Sequence, residues 1–267
     1  MNTVIQAFDK IHRVVSFFSK QLKFDKYKKK FGRKLALTIE QTISLSVFKQ
    51  KNNIATKKSV YEILEPNCSY KTMVVNMNRW ARLAIVIIVF LMKINRNNQH
   101  LIKHIDSTDV PVCSFKNANA HKTMKNFAKF GKNSKGTFFG LKLHIITDLR
   151  QQLLAVKFTA GNVDDRAIVI PLSKDLVGLF VGDAGYVSKK LSQEFYQEHN
   201  RILLVKPRAN MKKIMTKFQE KLYQTRMLIE LNFRNLKMFC GLVTSLPRSA
   251  GGYLANYIYS LLAYQII

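Results

Sequence analysis

The chain has 267 residues, of which 47% are hydrophobic, and its 44 Lys and Arg against 16 Asp and Glu give a formal net charge of +28. This apolar content supports a proper core and excludes a disordered chain, while the positive excess favours a polyanionic partner, most commonly nucleic acid. The alternative is a merely basic soluble protein from a lysine-rich proteome. The three cysteines are far apart and form no CxxC pair, which argues against a disulfide framework or a zinc site.

The first 98 residues predict helices. Apolar side chains recur every three or four positions from Phe8 to Phe18, and similar patterns continue up to residue 94. The most apolar stretch, LAIVIIVFLMKI at 83–94, is shorter than the roughly 20 residues of a spanning helix, so we interpret it as a buried helix. No secretory signal pattern is present. We therefore expect a soluble, cytoplasmic protein, with no membrane partner, whose residues 1–98 form a helical, basic domain.

After residue 98 the pattern changes to strands interspersed with helices. The stretch 135–148 alternates apolar and polar residues, and a short polar turn joins it to 151–162, which predicts an antiparallel hairpin. A strand at 100–112 is predicted before this hairpin. After the hairpin, the predicted elements are helix 163–176, strand 177–186, helix 188–199, strand 201–209 and helix 212–239. This order predicts an α/β fold with a mixed five-stranded sheet flanked by helices.

Three of the few acids are placed to form a metal site. Asp106 is predicted at the end of the first strand, Asp183 leaves the end of the fourth, and Glu230 lies in the last helix. If the first and fourth strands are neighbours, Asp106 and Asp183 face each other, and one would protonate unless a cation neutralises the pair. Carboxylate oxygens suit Mg²⁺ or Mn²⁺, so the three acids are candidate metal ligands.

Four residues of the last predicted helix lie on one stripe roughly 60° wide at 100° per residue: Tyr223, Arg226, Glu230 and Lys237. In that arrangement Tyr223, Arg226 and Lys237 are candidate phosphate contacts on either side of a bound metal. The alternative is a surface helix in which Arg226 and Glu230 form an ordinary ion pair. The two acids at strand ends favour the metal site.

The spacing Y-x2-R-x3-E-x6-K of these four residues resembles the signature of bacterial insertion-sequence transposases of the Asp-Asp-Glu class. HIDSTDVPVC, GDAGY, TAGNVDDR and the lysine-rich stretch 121–148 also resemble segments of that family, in the same order. The similarity covers about residues 100–265 and is weak before residue 98.

The resemblance implies a ribonuclease-H-like catalytic domain at 99–267, with Asp106, Asp183 and Glu230 as its catalytic triad. It also implies two Mg²⁺ or Mn²⁺ ions that serve both the cleavage of DNA at element ends and its transfer into a target. The expected partners are double-stranded terminal inverted repeats and target DNA, bound by a homodimer or larger assembly. Residues 1–98 are expected to bind the element ends.

A basic segment follows the first strand, with seven lysines interleaved with three phenylalanines. These residues are Lys116, Lys122, Lys125, Lys129, Lys132, Lys135 and Lys142, with Phe115, Phe127 and Phe130. The segment predicts contacts with a DNA backbone, for which Lys122, Lys125 and Lys142 are candidates. The alternative is a flexible solvated loop that becomes ordered on binding.

Other polar residues have more ordinary interpretations. Asp164 and Asp165 are most simply a helix cap. The alternative is that Asp165 or Arg166 supports the site, because a helix start can lie near the strand ends. His121 and His144 are expected to contact DNA or fill structure rather than bind metal. Tyr223 could be a covalent nucleophile, but no activating cluster is evident around it.

Two alternative functions remain beside transposition. One is a non-catalytic DNA-binding relic that has kept the basic surface, and the other is a metal-dependent nuclease that cuts DNA but never joins ends. The carboxylate triad argues against the relic, because a protein that only binds DNA gains nothing from three acids beside a polyanion.

Overall fold

The computed structural model describes residues 3–28, 32, 35–134, 136–199, 201–207, 211, 214–243 and 247–266. The chain divides into two compact units, one of Met1–Leu91 with Arg234–Ile267 and one of Met92–Phe233. The predicted assignment of residues 1–98 to DNA ends and of 99–267 to catalysis concerns function and stays a prediction.

The first unit is helical in its described residues. It contains α1 (Thr3–Gln21), α2 (Ile39–Lys51), α3 (Lys57–Leu64), most of α4 (Tyr70–Asn97) and α9 (Ala250–Gln265). Helix α2 is buried along most of its length and packs against α1 and α9. A capping box begins it, because the Thr38 hydroxyl accepts the Gln41 N–H while the Gln41 side chain accepts the Thr38 N–H.

Helix α4 contains the most apolar stretch of the chain. Its 28 residues are long and apolar enough to cross a membrane by length and composition, and 44% of its most apolar window is buried inside the structure. Ile87 and Ile88 belong to the buried core, whereas Val86 and Val89 are exposed. Core helices of soluble proteins pass the same test, so the interpretation of this stretch as a buried helix stays a prediction.

The second unit is built on a mixed six-stranded sheet. Its strands are β1 (Ile102–Pro111), β2 (Lys129–Asn133), β3 (Gly136–Asp148), β4 (Leu153–Ala160), β5 (Leu179–Gly182) and β6 (Ile202–Val205). The order is β2-β3-β1-β5-β6, with β4 also paired to β3. The β1–β5 and β5–β6 pairs are parallel and the others are antiparallel. All five predicted strands are present, and β2 is an additional strand within the basic segment.

Helices lie against both faces of this sheet. They are α5 (Arg166–Leu172), α6 (Lys189–His199), α7 (Lys217–Gln224) and α8 (Met227–Arg234). On one face, Ile105 and Ile146 pack with α5 and α6 in a buried cluster. On the other face, Asn232 of α8 donates a hydrogen bond to Thr147 of β3 at 3.1 Å. The predicted α/β arrangement of a mixed sheet flanked by helices is confirmed.

The prediction of one continuous helix over 212–239 is wrong. Helix α7 ends at Gln224, α8 begins at Met227, and Asn235–Phe239 form a π-helical turn. The Thr225 hydroxyl donates to the Leu222 carbonyl at 2.6 Å, and the backbone bonds of this junction run between residues three apart. The tighter winding changes the angle per residue, so the single regular stripe calculated from Tyr223 to Lys237 does not hold across the junction.

Three lysines are withdrawn from water to an unusual degree. Lys49 is 4% exposed and Lys103 is 1% exposed, while half-buried Lys57 donates to the Asn78 side chain at 2.8 Å. Burial lowers the pKa of each of the three to about 8. Lys103 compensates by donating to backbone carbonyls, including that of His100 at 2.8 Å.

Candidate active site

Two carboxylates meet where the parallel pairing of β1 and β5 ends. The last paired residues are His104 and Val181, and continuing this register by two positions brings Asp106 beside Asp183. The two strands are neighbours, as the prediction assumed, and the role of the two acids as a pair stays a prediction. Asp106 is not at the end of its strand, however, because β1 continues to Pro111 along its antiparallel partner β3.

Backbone amides orient both acids. Asp106 accepts the N–H of Ser107 at 2.8 Å, and Asp183 accepts the N–H of Ala184 at 2.6 Å. Asp183 caps a short 3₁₀ turn, Ala184–Tyr186, that follows β5 directly. These local bonds orient Asp106 within β1 and Asp183 just after β5, beyond the point where the pairing of the two strands ends.

Arg226 connects this pair of strands to helix α8. Its Nη1 lies 3.0 Å from Asp106 Oδ2, and its Nη2 lies 2.6 Å from Glu230 Oε1. Burial acts to lower the pKa of the guanidinium, but attraction to Asp106, Glu230 and Asp183 outweighs it and raises the pKa. Two of the three predicted triad carboxylates therefore contact one positive side chain, since Arg226 is an ion-pair partner of both Glu230 and Asp106, and Asp183 acts on it through its charge.

The Asp106 carboxyl lies in a largely desolvated position close to other acids. Burial raises the pKa of Asp106 to about 7, although the Ser107 N–H and Arg226 act to lower it, and the charges of Asp183 and Asp165 raise it further. The Asp106 side chain remains 18% exposed. A partly buried carboxyl crowded by other acids is a site that favours an additional cation.

Sequence reasoning missed Tyr186 as part of this site. The side chain is 3% exposed and belongs to the core cluster that packs under α5 and α6. Burial raises the pKa of its phenol well above the usual range, as do the charges of Asp106, Asp165 and Asp183, while a hydrogen bond with Ser107 acts in the opposite direction. The phenol is thus a neutral group beside the carboxylates. Its position three residues after Asp183 was the only available signal.

Asp165 holds Lys142 on the same face as Tyr186. Lys142 Nζ lies 2.9 Å from Asp165 Oδ1 and 3.0 Å from the Val163 carbonyl oxygen, and its side chain is 15% exposed. No hydrogen bond from the Asp165 side chain caps α5, and its support of the site stays a prediction. The prediction that Lys142 contacts DNA is untested, and such a contact would compete with this ion pair.

His144 is a buried structural residue. Its Nε2 lies 2.8 Å from Thr159 Oγ1, and only 2% of its side chain is exposed. Burial lowers the pKa of the imidazole to about 4, despite the opposing effect of Asp165. The neutral ring is buried against the sheet. Of the two roles expected for His144, contact with DNA or a structural role, this position agrees with the structural role.

The remaining predicted DNA contacts lie on three different elements. Lys122 and Lys125 are exposed in the turns before β2, and half-buried Tyr223 is in the last turn of α7. Lys237 belongs to the π-helical turn, in the unit that contains residues 234–267. Lys135, one of the seven lysines of the basic segment, lies outside the described residues. None of these DNA contacts is tested by the structure.

The donor set fits a hard divalent cation, but a closed metal cage is not formed. No group of three His, Cys, Asp or Glu side chains among the described residues has the geometry to hold a metal ion. The Arg226 guanidinium instead lies between Asp106 and Glu230. Oxygen donors from carboxylates nevertheless match the preference of Mg²⁺ and Mn²⁺, and a bound cation would lower the pKa of Asp106, which burial raises.

Comparisons with known proteins bear on the identity of this fold and site. No curated protein matches the chain. Among solved structures, the crystal structure of the Mos1 mariner paired end complex with Mn is similar over 84% of this chain and 85% of that chain, with 11% sequence identity and a TM-score of 0.26. The family described as "Transposase DDE domain" matches residues 96–250, which is more than half of the chain. The chain therefore belongs to the transposase family that carries a DDE domain.

Proposed function

We propose that this transposase cuts and joins DNA at the site formed by Asp106, Asp183 and Glu230. The observation that carries the proposal is the convergence of the three carboxylates on Arg226, with Asp106 and Glu230 in direct contact with its guanidinium. These acids come from two neighbouring strands and one helix, and they are 124 positions apart along the sequence at their widest. A structural ion pair would need only one of them.

The cofactor we propose is Mg²⁺ or Mn²⁺, as two ions held by Asp106, Asp183 and Glu230. Divalent metals are general for the DDE family. When bound, such ions supply Lewis acidity and activate the attacking oxygen at a phosphodiester. The chain itself contributes the orientation of the acids, since Ser107 and Ala184 amides fix two of them.

Arg226 is the positively charged side chain in contact with these acids. Its guanidinium presents N–H donors in a planar fork that matches phosphate oxygens as well as carboxylates. Tyr223 lies three residues before it, and its hydroxyl is proposed to contact the DNA backbone together with Lys237. Lys122, Lys125 and Lys142 are proposed to extend this contact through the basic segment.

The proposed partners are double-stranded terminal inverted repeats and target DNA. The formal net charge of +28 favours such a polyanion and predicts a binding constant that falls steeply with salt concentration. We further propose that residues 1–98 bind the element ends, that the protein acts as a homodimer or larger assembly, and that it works in the cytoplasm.

Cleavage and binding separate the catalytic proposal from the non-catalytic relic. DNA that carries the sequences flanking the gene is incubated with Mg²⁺ and either wild-type protein or Asp183→Asn. We expect the variant to bind this DNA as well as the wild type does and to lose cleavage by about 100-fold or more. Asp175→Asn is the control, because Asp175 is an exposed partner of Arg96 and should cleave normally.

Strand transfer separates transposition from simple nuclease activity. A pre-cleaved end with a free 3′-hydroxyl is offered together with supercoiled plasmid, and joined products are counted by sequencing. Joined products that depend on Asp183 would support the proposal. Normal cleavage by Asp183→Asn, or cleavage by the wild type without any joining, would contradict it.

A further inference from the structure

The basic segment after β1 is a continuous cationic surface. From Val110 to Thr147 the sequence contains seven lysines and no Asp or Glu. Five of these lysines are exposed, and no ion pair joins them to any acid in the described part of the chain: Lys116, Lys122, Lys125, Lys129 and Lys132. A surface of this kind attracts phosphates and repels cationic partners.

Three phenylalanine rings contact one another in a row that emerges from this surface, one pair tilted by 54° and the other edge-to-face at 69°. Phe139 of β3 is at its base and is 7% exposed, Phe130 of β2 is 45% exposed, and Phe115 is 58% exposed at the top. The ring centroids of Phe139 and Phe130 are 5.0 Å apart, and those of Phe130 and Phe115 are 6.0 Å apart. The outer two rings therefore present aromatic surface to solvent from a buried base. We call Phe115 and Phe130 the aromatic platform.

The strand beneath the platform is closely packed. Phe130 is paired directly with Phe139 in the β2–β3 register. A Cβ added to the neighbouring Gly131 would lie 2.3 Å from the Gly161 carbonyl oxygen, so the backbone of β2 packs tightly against the end of β4. Met124, at 0% exposure, anchors the turns that precede the strand. The backbone that carries Phe130 is thus fixed before any ligand binds, and Phe115 contacts the Phe130 ring.

Exposed aromatic rings among lysines are suited to bind the face of a DNA base, which is covered in a regular duplex. Inside a duplex each base face is covered by its neighbours, so a protein that only follows the backbone has no use for an aromatic ring. An unpaired base has a free face that stacks on an aromatic side chain, while adjacent phosphates bind lysines. Cleavage of a DNA end creates such unpaired or unstacked bases.

We propose that the aromatic platform of Phe115 and Phe130 stacks an unpaired base of the DNA substrate, with Lys129 and Lys132 binding the adjoining phosphates. This inference rests on the proposed function in that the unpaired base belongs to a DNA end. It adds a recognition site for single-stranded DNA outside the three carboxylates. An apolar protein partner is the rival occupant, but it would have to cover five unpaired ammonium groups around the rings.

The test compares two DNAs that differ only in an unpaired tail. Full-length protein in EDTA is titrated with a labelled blunt duplex and with the same duplex carrying a short 3′ tail that contains 2-aminopurine. We expect wild-type protein to prefer the tailed DNA by about tenfold and to quench the 2-aminopurine fluorescence on binding, as stacking does. Equal affinity for the two DNAs, or bound tails without quenching, would overturn the proposal.

Substitutions then assign the preference to the platform. Phe130→Ala and Phe115→Ala should each reduce the preference for the tail several-fold while leaving blunt-duplex affinity unchanged. Phe127→Ala is the matched control, because Phe127 is 49% exposed in the same segment but has no ring contact among the described residues. If Phe130→Ala lowers the melting temperature, Phe115→Ala decides the result. An equal loss in Phe127→Ala would contradict the assignment.

Two further measurements keep the outcomes distinct. Sedimentation without DNA tests the rival occupant, and dissociation of an oligomer by Phe115→Ala would assign the rings to a protein interface and overturn the proposal. Asp183→Asn should retain the tail preference and the quenching. If the wild type shows both but never cleaves DNA, the platform stands and the catalytic proposal fails.

Discussion

The electrostatic strain at Asp106 predicts how the stability of the metal-free protein depends on pH. In the folded protein, burial and neighbouring acids raise the pKa of Asp106 from 3.8 to about 7. A carboxyl with a raised folded pKa favours folding fully below its unfolded value and loses that contribution as the pH rises to the folded value. The window is therefore about pH 4 to 7. A difference of about three units corresponds to roughly 4 kcal/mol as an upper limit, at 1.36 kcal/mol per unit.

Asp106→Asn removes this titration. The free energy of unfolding is measured by guanidinium chloride denaturation in EDTA, for wild type and variant, at several pH values from about 4 to 8. The difference, variant minus wild type, should increase across this range by up to about 4 kcal/mol in favour of the variant. The amide oxygen of the variant can still accept a hydrogen bond from Arg226, so the substitution chiefly removes the titrating charge.

Asp164→Asn is a control whose difference from wild type should stay constant from about pH 4 to 8. Hydrogen bonds from Arg166 lower the pKa of Asp164 from 3.8, so its small contribution is fully present above that value and is lost only as the pH falls below it. Excess Mg²⁺ at about pH 8 should stabilise the wild type by about 2.7 kcal/mol at 100 times its dissociation constant and should leave Asp106→Asn nearly unchanged. A pH-independent difference between Asp106→Asn and wild type would refute the reasoning.

Three substitutions in the second unit test the packing that supports the site. Phe180→Ala should cost about 3–5 kcal/mol of unfolding free energy, because the ring is fully buried; a loss below about 1 kcal/mol would contradict its place in the core. Gly140→Ala should cost about 1–3 kcal/mol, since the new Cβ would lie 2.3 Å from the Val110 carbonyl oxygen, and hydrogen exchange of β1 and β3 should accelerate. Arg201→Met should raise the unfolding rate and cost about 2 kcal/mol of unfolding free energy. The reason is that the Ser173 carbonyl and hydroxyl oxygens, each 2.8 Å from Arg201 Nη1, lose a buried donor. Unchanged thermal unfolding would disprove this.

Local pattern was sufficient for most of the sheet. The alternation from Phe139 to Ile145 predicts β3 because successive side chains of a strand point to opposite faces. The apolar run before Asp183 likewise predicts β5. Since parallel neighbours bring equivalent strand positions together, the meeting of Asp106 and Asp183 followed once the order of strands was assumed. The short strand β2 was missed because its five residues, KFGKN, carry no strand pattern of their own and depend on pairing with β3.

The details that were missed depend on contacts between distant parts of the chain. The helix break at Thr225 accompanies a 2.8 Å hydrogen bond between its hydroxyl and His104 Nε2, 121 positions earlier. Arg226 was predicted to contact phosphate or to pair with Glu230. Its contact with Asp106, 120 positions earlier in the chain, was not predicted. Tyr186 and Asp165 join the site through charges across the sheet, which helical or strand periodicity does not encode.

The ammonium groups of Lys49, Lys57 and Lys103 are shielded from water, and as a result the net charge of the protein changes with pH just above neutrality. With a pKa of about 8, each is roughly half deprotonated in a mildly alkaline buffer, whereas solvated lysines stay protonated there. The electrophoretic mobility should therefore decline between about pH 7 and 9 more than ordinary lysines allow. Because these interior amines release no counterions from DNA, the slope of the logarithm of affinity against the logarithm of salt concentration should stay constant over the same interval.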